Sequence, residues 1–123
     1  MYSFQRILAA AALLAAMSPA AHALDLVTPA IWVGQLTNAA CRLVNISASP
    51  ITAQIQLVEG DGTVLNDSGS FMVWPGRTAT IVTADPGGNV YCRFVKASKS
   101  KVRGSLAAYV GDDGTDHTVV AAQ

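Results

Sequence analysis

Histidine and cysteine are almost missing from this chain of 123 residues, with two of each, and charged side chains make up only 13%. The histidines are His22 and His117; the cysteines are Cys41 and Cys92. That inventory is too small for the cage of thiolates and imidazoles that a structural zinc needs, so no metal is expected. Ser-His-Asp catalysis requires a histidine held by an acid within reach of a nucleophile. Only His117, near Asp113 and Asp116, offers a start, and no G-x-S-x-G elbow accompanies it. The acids sit almost entirely in glycine-rich turn sequence, where aspartate serves backbone geometry, so a facing carboxylate pair is not indicated. Asp112, Asp113 and Asp116 cluster around Gly114 but lack the calcium-loop spacing and its closing glutamate. No enzyme activity, catalytic residue or cofactor is expected.

Basic excess is lacking too. Eight basic side chains balance eight acidic ones. Binding a nucleic-acid backbone calls for a positive surplus, so nucleic acid is not an expected partner. A membrane-spanning run is also absent. The apolar stretch Ile7 to Met17 is unbroken, but crossing a bilayer takes about 20 such residues. With Arg6 before it and Ala21-His22-Ala23 after it, the stretch reads as a secretory signal over residues 1–23. The working chain is then residues 24–123, one domain of about 100 residues with one core and no transmembrane segment. The expected location is periplasmic or secreted.

What is present is a repeat. Asn38, Cys41, Arg42, Leu43, Val44, Ile46 and Ser47 recur as Asn89, Cys92, Arg93, Phe94, Val95, Ala97 and Ser98, 51 positions later. The offset continues through Ser49 and Ser100, Ile51 and Val102, Ala53 and Gly104, and Ile55 and Leu106. Two copies suit a sandwich with an approximate twofold axis and one hairpin from each half; three would be needed for a solenoid. Independent convergence of similar hairpins gives the same pattern. Export places Cys41 and Cys92 where thiols oxidise, and a Cys41–Cys92 disulfide is the expected state, two free buried thiols being the alternative.

The remainder reads as strands. Ala30 to Gln35 is short. Ile51 to Val58 alternates Ile51, Ala53, Ile55 and Leu57 with polar neighbours, the period of a half-buried strand. Further strands are expected at Thr63 to Leu65, Ser70 to Trp74, Arg77 to Thr83, Val102 to Val110 and Thr118 to Ala121. Turns fall at Glu59 to Gly62, Asn66 to Gly69, Pro75-Gly76 and Asp85 to Gly88. No helical period follows residue 23. The expected fold is all-β, an antiparallel immunoglobulin-like β-sandwich of about 7–8 strands. On Cys41-Arg42, Trp74-Pro75-Gly76 and Tyr91-Cys92-Arg93-Phe94, the chain resembles small exported bacterial proteins with an immunoglobulin-like sandwich and one disulfide. The resemblance implies fold and export and carries no activity. The chain departs from antibody domains: its tyrosine stands one residue before the second cysteine, where a tyrosine corner needs two.

The distinctive surface signal is basic. Arg93, Lys96, Lys99, Lys101 and Arg103 lie within eleven residues with no acid among them. Alternation puts Arg93 and Arg103 on one outward face of a hairpin. One reading is a docking patch for an anionic protein or an envelope component such as lipopolysaccharide phosphate. The other is solubility and protection of a sheet edge, the usual work of lysine there. Trp32, Trp74 and Tyr109 could make an aromatic binding surface, but aromatics in a small sandwich are more often core or end plugs, with Trp74 covering the open end of the sandwich. The expected function is a non-catalytic exported interaction module; the alternative is a structural subunit of a surface fibre, short of one strand until a partner donates it. Intact mass of the exported protein tests the first step: it should correspond to a chain starting at Leu24, and a mass retaining residues 1–23 would end the secretion reading.

Overall fold

Short alternating runs separated by glycine turns become strands along the whole of the described chain. The computed structural model describes residues 24–110 and 116–123. The signal reading at 1–23 lies outside these residues. So do the catalytic and calcium readings, which rest on the acidic turn at 111–115 and the side chains of Asp116 and His117. Eleven strands and no helix occur among the described residues. They are β1 (Leu26–Val27), β2 (Ile31–Val33), β3 (Thr37–Asn45), β4 (Ile51–Ala53), β5 (Ile55–Glu59), β6 (Val64–Asp67), β7 (Phe71–Val73), β8 (Thr78–Thr83), β9 (Gly88–Phe94), β10 (Val102–Val110) and β11 (Asp116–Ala121).

The chain is all-β and its strand pairings are antiparallel. In one sheet β9 is central: β1 and β2 share one side of it, β5 takes the other, and β6 pairs with β5. The second sheet runs β11-β10-β3-β8, and β4 pairs with β7 in a separate ribbon. β1 and β2 are one edge interrupted at Pro29, which has no N–H to give to a ladder. Thr28 spans the break. Its N–H donates to the Cys92 carbonyl at 3.0 Å, and its hydroxyl accepts from the Cys92 N–H at 3.0 Å.

The two halves exchange strands. β2 precedes β3 but pairs with β9, while β8 precedes β9 but pairs with β3. β5 follows β3 and pairs with β9; β10 follows β9 and pairs with β3. The expectation of one hairpin from each half is therefore corrected: each Ser-x-Ser connection carries the chain across from one sheet to the other, as an arch. The sequence offset is not the pairing offset. Leu106 stands opposite Cys41, but Leu57, not Ile55, stands opposite Cys92.

Three smaller corrections follow from packing. The run Ile51 to Val58 is two strands, because the chain leaves one ladder after Gln54 and Ile51–Ala53 pairs with Phe71–Val73. Asn66 and Asp67 belong to β6, not to a turn, since their polar side chains suit an outer edge. Trp74 does not plug the end of the fold; 60% of it is exposed. The turn after it is as read: Arg77 N–H donates to the Trp74 carbonyl at 3.1 Å, and Gly76 takes φ 74°, the left-handed value a type II turn requires.

Inward-facing side chains of both sheets meet in one core, with Leu43 and Leu106 from one sheet against Ile55, Leu57, Val90 and Phe94 from the other. Cys41 and Cys92, both fully buried, are joined by a disulfide across this core with their Cα atoms 5.7 Å apart. Beside it Phe94 occupies space that only glycine leaves open. A Cβ on Gly104 would stand 2.4 Å from the Phe94 Cε2 atom. Gly104→Ala should therefore destabilise the protein by about 1–3 kcal/mol, the usual cost of overpacking a core. Adding Phe94→Leu, which restores the pairing of leucine with alanine found in the other repeat, should recover part of that loss. Denaturant midpoints of the two single variants and the double variant check it; strictly additive losses would show that the ring and the glycine do not share this space.

Candidate functional site

Both arches lie at one end of the fold. The first runs from Ile46 to Pro50 and the second from Val95 to Lys101, and the Ile46 N–H donates to the Lys101 carbonyl at 2.8 Å. The anchor is Asn45, a polar residue at an inward position with no exposed surface. Its amide donates to the carbonyls of Ser49 at 2.8 Å and Val73 at 3.0 Å. Its side-chain oxygen accepts from the Ser47 N–H at 2.9 Å and the Ser47 hydroxyl at 2.7 Å. Both donors and both lone pairs are used, so burial leaves nothing unpaired. Its backbone ties in the Pro75-Gly76 turn, with Gly76 N–H donating to the Asn45 carbonyl at 2.8 Å.

The second arch repeats the serine pair but not the asparagine. Ser98 and Ser100 hydroxyls lie 2.8 Å apart, as Ser47 and Ser49 turn the first arch. At the position of Asn45 stands Lys96, exposed and left-handed at φ 52°. A lysine rarely adopts that conformation, and it is held here because the Lys96 N–H donates to the Asp25 carboxylate at 2.7 Å.

The five cations do not form one surface. β9 and β10 belong to different sheets, so Arg93 and Arg103 face outward on opposite sides, contrary to their expected place on one face of a hairpin. Arg93 is committed to its own sheet. Its Nε donates to Gln56 Oε1 at 2.8 Å, and the Gln56 and Gln54 amides donate to Asp67 at 2.9 and 3.0 Å. The Gln56 amide, then Gln54 and the Gly69 N–H, hold the Asp67 carboxyl below its usual range, with the charge of Arg93 adding to the effect. Arg103 braces the second arch, its Nη1 donating to the carbonyls of Lys99 and Val102. Lys96, Lys99 and Lys101 project from the arch, all exposed.

A cleft of about 290 Å³ opens between the arches. It exists because two segments part company. Val95 N–H still donates to the Gln54 carbonyl at 3.0 Å, but β4 then turns to β7 while Ala97 and Ser98 cross to the other sheet. The floor is core: Leu43, Ala53 and Val102 are buried, and Ile51, Val95 and Ala97 rise from it half-buried. Lys96 and Lys101 stand on its rim, and no acidic residue lines it. A second hollow of about 340 Å³ shares Thr52, Ala53, Gln54, Val95 and Lys96 and prolongs the cleft toward Ser70. Among the described residues no group of histidine, cysteine and acid side chains is placed to hold a metal.

Sequence reasoning located the lysines but missed Asn45 and the cleft. The signal for Asn45 was the Asn-x-Ser-x-Ser run over Asn45, Ser47 and Ser49, which is Asx-turn chemistry at a strand end. No protein-family model and no curated protein matches the chain. Among solved structures the chain is similar to the crystal structure of Thermotoga maritima 1070, with 7% identity and a TM-score of 0.52 over 85% of this chain and 96% of that one. The likeness is one of fold.

Asn45→Ala should cost about 2–3 kcal/mol of stability, because it leaves the buried Val73 carbonyl and the first arch without partners. Chemical denaturation measures it. A loss below about 0.5 kcal/mol, the range of ordinary surface changes, would mean that the arches hold themselves without this residue.

Proposed function

We propose that this protein is an exported, non-catalytic β-sandwich that binds an anionic envelope component through its arch end. The observation that carries the reading is the second arch itself: Lys96, Lys99 and Lys101 are exposed within six residues, and no acid occurs in the sequence between Asp85 and Asp112. Asp25 lies against this arch, but its carboxylate is occupied by the Lys96 N–H, and the local balance stays positive. Export is supported by the apolar run Ile7 to Met17 followed by Ala21-His22-Ala23, and by the closed disulfide. Among the described residues no helix is long and apolar enough to cross a membrane.

The sandwich is immunoglobulin-like in one respect, the cysteines on facing central strands of two sheets. It differs in that the strand after the second cysteine pairs in the opposite sheet. The edges support an interaction module over a fibre subunit awaiting a donated strand. β3, β9 and β10 each have partners on both sides. The outer edges are bridged: Gln123 N–H donates to the Val27 carbonyl at 3.0 Å on one side, and the Asn66 amide donates to the Val82 carbonyl at 3.2 Å on the other.

Co-sedimentation with phosphatidylglycerol vesicles, against phosphatidylcholine vesicles, tests the reading. Binding should be confined to the anionic vesicles, weaken as salt shortens the Debye length from about 30 Å at 0.01 M to about 8 Å at 0.15 M, and disappear in Lys96→Gln/Lys99→Gln/Lys101→Gln. The thermal midpoint of that variant should hardly move, since exposed charges contribute little to folding. Equal binding to both vesicle types, or binding that survives the triple change, would refute it.

A further inference from the structure

We infer that the cleft between the arches takes a single aliphatic chain bearing an anionic head, of which a fatty acid is the simplest member. The inference rests on the reading of the arch lysines as an anion site and adds to it the chemistry of the rest of the ligand. Three observations converge. The floor is aliphatic, from Leu43, Ile51, Ala53, Val95, Ala97 and Val102, while Thr52, Gln54 and Ser98 add polar groups to the walls. The charged groups on the rim are Lys96 and Lys101, both positive. The volume, about 290 Å³ and prolonged by the neighbouring hollow, is at the small end of ligand sites.

The repeat explains why the space is there. In the second repeat Phe94 fills the corner over Gly104 so closely that no Cβ fits. The corresponding residues of the first repeat are Leu43 and Ala53, and both line the open cleft. A leucine with an alanine leaves the floor of the cleft open, whereas the phenylalanine ring lies against its glycine; the hollow of about 380 Å³ that also borders Gly104 is a separate one, lined by Leu26, Val102 and Arg103. The same substitution of one repeat for the other puts Lys96 where the first arch has its buried Asn45. Cavity and charge are thus two departures from the repeat that fall at one place. An apolar chain entering here replaces water over the core, and an ammonium group, a compact charge on a flexible stem, meets the head at the mouth.

The test is a chain-length series of soluble alkanoates, butanoate to decanoate below their micelle concentrations, titrated calorimetrically into the unaltered protein. Affinity should rise about fourfold for each added methylene, the fold-change equivalent of about 0.8 kcal/mol per buried CH₂, and then level off when the cleft is full. Decyltrimethylammonium should not bind. Ala97→Phe, which fills the cleft from its wall, should abolish the chain-length dependence while leaving salt-sensitive binding to anionic vesicles intact. Should that variant unfold, Lys96→Gln/Lys101→Gln, altered only at exposed positions, should lower the affinity of every alkanoate alike and keep the slope. A flat series with vesicle binding retained would overturn this inference and leave the proposed function standing. A steep series shared equally by the cationic amphiphile would overturn the role of the lysines in it. Loss of vesicle binding with a steep alkanoate series would instead refute the proposed surface function and keep the cleft.

Discussion

The disulfide between Cys41 and Cys92 is the constraint on which the remaining contacts depend. It ties β3 to β9, and these two strands receive partners from both halves of the chain. A hairpin can form from neighbouring residues alone; an exchanged pair cannot. β3 needs β8 and β10, both later in sequence, and β9 needs β2 and β5, both earlier. Most of the ladder is therefore long-range, and its closure entropy must be met before pairing rewards it. Closing a loop across 51 positions removes much of that freedom from the unfolded chain. In the chain-entropy account the contribution is about 4 kcal/mol, a large share of the 5–15 kcal/mol typical of a whole domain.

Given that frame, the candidate site is a local failure of the repeat. Where the copies agree, as in Cys41 and Cys92 or Ser47 and Ser98, they build the fold. Where they disagree, at Leu43 against Phe94, Ala53 against Gly104 and Asn45 against Lys96, the two sides of the arch end acquire different surfaces. The first repeat contributes the arch pinned by a fully bonded amide and the Leu43 and Ala53 of the cleft floor; the second contributes the lysines of the rim and the Phe94 ring packed over Gly104.

Faces were legible in the sequence; partners were not. Val90, Cys92 and Phe94 alternate with the outward Arg93 and are buried, and Val102 to Val110 is the strand as read. Alternation reports which side of a sheet a residue occupies, and it is identical for a hairpin and for an arch between sheets. Hence Arg93 and Arg103 were each placed outward, yet on one face where the structure has two. Asn45 escaped for a related reason. Its polarity argued against burial, and its four hydrogen bonds, which make burial affordable, come from segments as distant as Val73. The division at Gln54 left no trace either, since Ile51, Ala53, Ile55 and Leu57 keep period two straight through it.

The chemistry of the cations sorts them into structure and surface without reference to any partner. A guanidinium is planar and carries several fixed donors, so it is well used against oxygens already in place. Arg93 meets the Gln56 oxygen, and Arg103 meets the carbonyls of Lys99 in the arch and Val102 at the start of β10. Arg103 is thereby drawn into holding the backbone that presents the lysines, while Arg93 holds the polar side chains of its own sheet. An ammonium group keeps its water and its stem keeps its freedom, which makes lysine a poor brace but a good charge to leave in solvent. The arch therefore stands on arginine and shows lysine. Its positive field extends no further than the screening length of the medium, so it acts on what comes to the mouth of the cleft and not on the molecule as a whole, whose acidic and basic side chains are balanced.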